Sequence, residues 1–191
     1  MKLRKRELIK GGIYTVANQI AFELNERDVE ERAGVKRGGL YELFSSKNEF
    51  MNDCFFYVLD ELYKSNRKIL KFDSEEYSIK EKCRCIWFNT LAWWLGNPDM
   101  FAFYVRYLTS SYYYDNEVMN AQNRNPYFLL GKEAVESGAV KPMPLEFIHE
   151  LIVAQKLNTL NFIKKNPKLS ADCEFLELSF EAVWDSISVK N

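Results

Sequence analysis

Apolar residues recur at helical spacing along nearly the whole chain, and no alternating apolar run is closed by an Asn-Gly or Asp-Gly turn. A period near 3.6 without a period of 2 permits helices packed on helices and leaves no place for a sheet. An all-α fold of about nine helices is expected. The spans are 3–22, 26–33, 37–44, 46–71, 78–95, 99–109, 116–137, 145–165 and 171–188. Several ends carry their own signals. Asn25 and Asp28 open the second helix and Gly34 stops it. Ser46 with Glu49 forms an S-x-x-E box at the fourth, Asn125-Pro126 predicts a bend in the seventh, and Ser170 is the expected cap of the last.

At 191 residues the chain can bury a core without staples. Its longest apolar run, CIWFNTLAWWL at 85–95, is broken by Asn89 and Thr90 and falls short of the roughly 18 residues a bilayer demands. The start, MKLRKRELIKGG, is charged but has no apolar segment behind it, so no secretory signal is read and a cytoplasmic location without membrane contact is expected. Four cysteines do not make a disulfide framework here, and Cys83 and Cys85 lack the C-x-x-C spacing, so buried free thiols are expected. His149 is the only histidine, which removes most zinc sites and most Ser/His or Cys/His catalytic arrangements. It is expected on a helix face. With no Gly-rich phosphate loop and no G-x-S-x-G, no catalytic residue, metal or cofactor is assigned, and the chain does not read as an enzyme.

Charge is uneven. Residues 1–50 carry a net +2 and residues 51–191 a net −3, within an overall −1. The first portion contains AGVKRGGLYELFSSKNEF, residues 33–50, where two adjacent glycines fall inside a short helical segment. Each glycine in a helix interior costs about 1 kcal/mol against alanine. A helix that keeps two of them needs a reason.

Residues 25–50 resemble the helix-turn-helix of TetR-type (TetR/AcrR) bacterial transcriptional regulators, whose consensus is S-V-x-D-I-A-x-x-A-G-V-S-x-G-T-L-Y-x-x-F-x-S-K-x-x-L. Asp28, Val29, Ala33, Gly34, Val35, Gly38, Leu40, Tyr41, Phe44, Ser46, Lys47 and Phe50 carry the match. The resemblance implies a three-helix DNA-binding domain over 1–46 and a helical ligand-binding and dimerisation domain over 47–191. In such a motif Gly34 makes the tight turn, and the following helix enters the major groove of an operator duplex. Gly38 and Gly39 would let the backbone approach phosphate and sugar. Arg37 is the leading base-reading residue, through guanine O6 and N7, and Lys36 touches base or phosphate. Tyr41 and Lys47 match backbone-contacting positions, and Glu42 either accepts from a cytosine amino group or repels phosphate. The basic run Lys2, Arg4, Lys5 and Arg6 is a further phosphate candidate. Glu26, Glu30, Lys36 and the pair Gly11-Gly12 depart from the consensus.

Aromatic residues crowd the middle of the chain, and Trp87, Trp94, Phe103, Tyr104, Tyr107 and Tyr127 are the candidates to line an effector pocket. The resemblance implies that pocket, and also a homodimer formed through the last two helices, about 145–188. Together these imply a repressor released from its operator by a small, partly aromatic or lipophilic effector. The competing expectation is a helical interaction protein derived from such a repressor that no longer reads DNA.

Overall fold

The computed structural model describes residues 2–19, 24–69, 76–114 and 126–189. Among them run eight α-helices: α1 (Lys2–Asn18), α2 (Glu26–Arg32), α3 (Lys47–Ile69), α4 (Ile79–Gly96), α5 (Pro98–Leu108), α6 (Pro126–Glu136), α7 (Leu145–Lys165) and α8 (Cys173–Ile187). Two 3-10 turns, Ser111–Tyr114 and Pro167–Ala171, and one isolated antiparallel bridge, Val140 to Ser188, accompany them. The fold is all-α as the periodicity requires. Residues 20–22, 70–71 and 116–125 of the expected helices, with Asn125 of the expected bend, lie outside the described residues. The expected helix over 37–44 is not formed, for reasons given with the site.

The chain divides into two compact units, Met1–Leu62 with Gly96–Asn120, and Tyr63–Leu95 with Ala121–Asn191. In the first, Leu8, Ile9, Ile13 and Val16 form the buried face of α1. Val29, Leu40, Phe44 and Phe50 are buried in the same unit, each such side chain adding about 1.5–3 kcal/mol by leaving water. Gly12 is what allows α1 so close to α3, because a Cβ there would lie 2.5 Å from the Phe50 ring and 3.2 Å from Cys54 Sγ. On α5, Tyr107 stacks on Phe55 at 4.2 Å between centroids and donates its hydroxyl proton to Asn52 Oδ1 at 2.7 Å.

The second unit gathers the far end of α3 with α4, α6, α7 and α8. Its core includes Trp87, Leu91, Leu160, Ile163 and Phe180, and Trp87 Nε1 donates to Ser179 Oγ at 3.0 Å, which satisfies the indole. Asn66, 1% exposed, donates to Thr90 Oγ1 at 3.4 Å and to the Tyr127 hydroxyl, and accepts from Asn89 Nδ2 at 2.8 Å. The cap of α8 is Asp172, whose Oδ1 accepts from Phe175 N at 3.0 Å. Ser170 was the expected cap, but its hydroxyl donates to Pro167 O within the preceding 3-10 turn. All four cysteines are free; Cys54 is buried, yet Cys173 is exposed at the start of α8, against the expectation of buried thiols. No helix among the described residues is long and apolar enough to cross a membrane.

Candidate nucleic-acid interface and effector cavity

The interface candidates follow α2. Gly34, at φ +63, closes that helix: Val35 N donates to Glu30 O at 2.8 Å and Gly34 N to Glu31 O at 3.1 Å, the paired bonds of a Schellman stop. Lys36 to Gly39 then form a tight turn, with Gly39 N donating to Lys36 O at 2.9 Å. Gly38 occupies its third position at φ +82, a left-handed conformation that a helix running through 37–44 cannot contain. Gly39 serves packing, since a Cβ there would overlap the Val35 side chain and lie 2.8 Å from Lys36 O. Only one helical turn follows, with Leu43 N and Phe44 N both donating to Leu40 O at 3.1 Å.

The expected third helix therefore reduces to a glycine turn and a single helical turn. Lys36 stands where the consensus has a capping serine, two glycines each cost about 1 kcal/mol in a helix, and so short a segment cannot offset nucleation. The alternative geometry is held from α2. Glu30, 5% exposed, accepts from Leu40 N at 3.0 Å, and one turn earlier Glu26 accepts from the Tyr41 hydroxyl. The two glutamates that break the consensus are thus the anchors of residues 40 and 41. Their i, i+4 spacing on α2, facing a short segment rich in free N–H groups, is the sequence signal that would have found them.

The side chains divide into tethered and free. Lys36 pairs with Glu42 at 2.7 Å, but both are well exposed, so the pair adds at most about 1 kcal/mol and yields readily to a competing anion. Arg37 is exposed and has no ion pair among the described residues. Tyr41 is 47% exposed, and its bond to Glu26 pushes the phenol up to about 12, so it stays neutral and oriented. Lys47 opens α3, where Ser46 Oγ accepts from Glu49 N at 3.1 Å. Glu49 reaches back to Ser45, rather than to Ser46, at 2.7 Å from its N–H. These Ser45 bonds hold the carboxyl below the usual range. Of the N-terminal basic residues, Lys5 is tied to Asp53 at 2.7 Å and Arg6 donates to the Tyr57 hydroxyl at 3.4 Å, whereas Arg4 is exposed.

A separate cavity of about 120 Å³ lies in the second unit. On α7, positions 145, 148, 149, 152, 153 and 156 line it, and on α8 positions 180, 183, 184 and 187, each set one helical face. Cys83, Ile86 and Trp87 come from α4, and Tyr127, Phe128 and Leu130 from α6. Of the six expected pocket residues, only Trp87 and Tyr127 line this space. Trp94 is buried beside Trp93, and Phe103, Tyr104 and Tyr107 belong to the core of the first unit, where Phe55 and Asn52 occupy them.

Two polar residues outside the expected pocket set, Lys156 and His149, also line it. Lys156 Nζ sits 5.8 Å from the Trp87 ring centroid and 5.9 Å from that of Tyr127, with no hydrogen bond or ion pair among the described residues. Desolvation pulls its pKa down to about 8. His149, expected simply on a helix face, is on the face that meets the cavity, and desolvation followed by Lys156 lowers it to about 4. Cys83 is pushed up to about 12 by burial. Neutral imidazole, neutral thiol and one cation therefore face an otherwise apolar space at neutral pH.

No protein-family model matches the sequence. Solved structures do match the backbone. A Shewanella sp. PV-4 protein classed with tetR family transcription regulators is 21% identical and superposes with a TM-score of 0.87, over 98% of this chain and 99% of that one. A TetR family transcription regulator from Marinobacter aquaeolei VT8 is 17% identical, with a TM-score of 0.82 over 99% and 97%. A TetR-family transcriptional regulator from Haemophilus influenzae Rd is 17% identical, with a TM-score of 0.74 over 97% of each chain. This chain has the fold those regulators share.

Proposed function

We propose that this chain, folded as TetR-family regulators are along nearly its whole length, is itself a DNA-binding transcriptional regulator, a repressor released from its operator by a small lipophilic effector. The observation that supports this reading is that the consensus residues lie in a chain with that fold, with Lys36, Arg37, Gly38, Tyr41 and Glu42 exposed and Arg37 free of any described ion pair. Arg37 reads guanine, Lys36 exchanges Glu42 for a base or a phosphate, the backbone at exposed Gly38 approaches the duplex while Gly39 packs beneath it on Val35, and Tyr41 and Lys47 hold the sugar-phosphate chain. Residues 1–46 form the DNA-binding portion and 47–191 the effector-binding and dimerising portion, acting in the cytoplasm.

A homodimer through α7 and α8 is supported by their second apolar face. Phe147, Phe162 and Leu178 are 53%, 51% and 63% exposed, on the two helices whose other faces line the cavity. Apolar surface left out on adjacent helices is a common mark of an interface. The effector signal travels on α3, because that helix begins at Lys47 and carries Asn66, which is bonded to the cavity residue Tyr127. An effector acts on DNA affinity only through unequal affinity for two conformations. A crosslink that immobilises the far end of α3 within the second unit should abolish the response, and an unchanged response would remove α3 from the pathway.

Titrating labelled duplexes from promoter regions across a salt series tests DNA binding. A regulator gives a steep salt slope and a sequence preference, and Arg37→Ala relaxes that preference. One observation favours the second reading, a helical interaction protein that no longer reads DNA: the recognition segment holds one helical turn, and its Lys36 is paired with Glu42. Binding that is weak, shallow in salt and indifferent to Arg37→Ala would select it.

A further inference from the structure

Building on the proposed effector role of the cavity, we infer that its ligand is a small amphipathic monocarboxylate, its carboxylate set against Lys156 and its apolar body, of roughly six to eight carbons, among the surrounding helices. Among the described residues, Lys156 is the one cationic side chain lining the space at neutral pH, and no Asp or Glu lines it. Its ammonium lies near the rings of Trp87 and Tyr127 and has no counter-ion among the described residues. Ring contacts compensate a desolvated cation only partly, so a carboxylate entering there gains a strong charge-assisted partner. A single cation suits one negative charge; a phosphate dianion would need more donors than the lining holds. Cys83 and His149 are neutral and supply no competing anion.

The rest of the wall sets the body of the ligand. Ile86, Leu130, Val183 and Ile187 offer only hydrocarbon, so a second polar group set among them, away from Lys156 and His149, would lose its water without replacement. At about 120 Å³ the cavity is of the order of the 150 Å³ apolar cavity that takes benzene, which limits the body to one ring or a short chain.

Isothermal titration of the full-length protein with benzoate and octanoate, set beside the uncharged benzamide and octanamide, tests this. Each acid should bind at least tenfold more tightly than its amide, and Lys156→Met, which keeps an apolar stem, should erase the difference. Equal binding of acid and amide to the native protein overturns the carboxylate assignment and leaves the cavity as an effector site. Failure of all four compounds to bind overturns both. Acids that still outbind amides in the Met variant show that some other group selects the charge. The native comparison decides the matter alone if the variant does not fold.

Discussion

The segment 33–46 and the cavity of the second unit were built by opposite routes. The first is local: two left-handed glycines and two glutamates of α2 fix a handful of residues that lie close together in the chain. The second is assembled from faces of α4, α6, α7 and α8, more than a hundred residues from first to last. A local motif names the residues that matter but leaves their conformation to competing hydrogen bonds. Long-range periodicity fixes which faces turn inward but leaves open whether they close on one another or around a space.

The largest expected effect probes the dryness of the cavity. His149 is held near 4, below its ordinary 6.5, so between those values the unfolded chain takes up a proton that the folded chain refuses. Its contribution is present above pH 6.5 and is lost as pH falls toward 4, with an upper limit of about 3 kcal/mol. Lys156 stays charged and Cys83 stays a thiol across that window. Since the chain has one histidine, NMR titration of a single imidazole reads the value directly; a midpoint near 6.5 would make the cavity wet.

Changes in the turn segment should be smaller and should leave the cavity untouched. Arg37→Ala is expected to lose about 1–3 kcal/mol of affinity for the preferred duplex with no change in melting temperature. Glu30→Leu removes the acceptor of a buried Leu40 N–H and should cost about 1–3 kcal/mol of stability. For a chain of this size that lowers the melting temperature by several degrees, while Glu30→Gln keeps an acceptor and should recover most of the loss. If Glu30→Leu instead altered the His149 titration, the two regions would not be independent.

Much of this was legible in the sequence because helical periodicity is averaged over many residues. The span expected at 145–165 is the span of α7, and, the absent helix at 37–44 aside, the others differ only at their ends where they are described. The third helix expected from the motif spacing does not form because two glycines, a missing capping serine and an acceptor on α2 act against it, and their combined effect is local and energetic. Glu26 and Glu30 stood out only as departures from a pattern; their hydrogen bonds give them their purpose. Aromatic density in the sequence does not distinguish a ring consumed by a neighbour, such as Tyr107 on Phe55, from one facing a void. Lys156 was readable in principle as the lone charge on the face formed by 145, 148, 149, 152 and 153.

Substituting Gly38 by alanine gives the most direct measurement, because the two possible conformations predict opposite signs. Among the described residues no atom lies within 4 Å of where the new methyl would stand, so packing does not enter. With Gly38 left-handed at φ +82, chemical denaturation of the variant should show a loss of about 1–2 kcal/mol. A gain of about 1 kcal/mol, the difference between alanine and glycine inside a helix, would mean that the recognition segment is a helix after all and that the glycine turn presenting Arg37 does not exist.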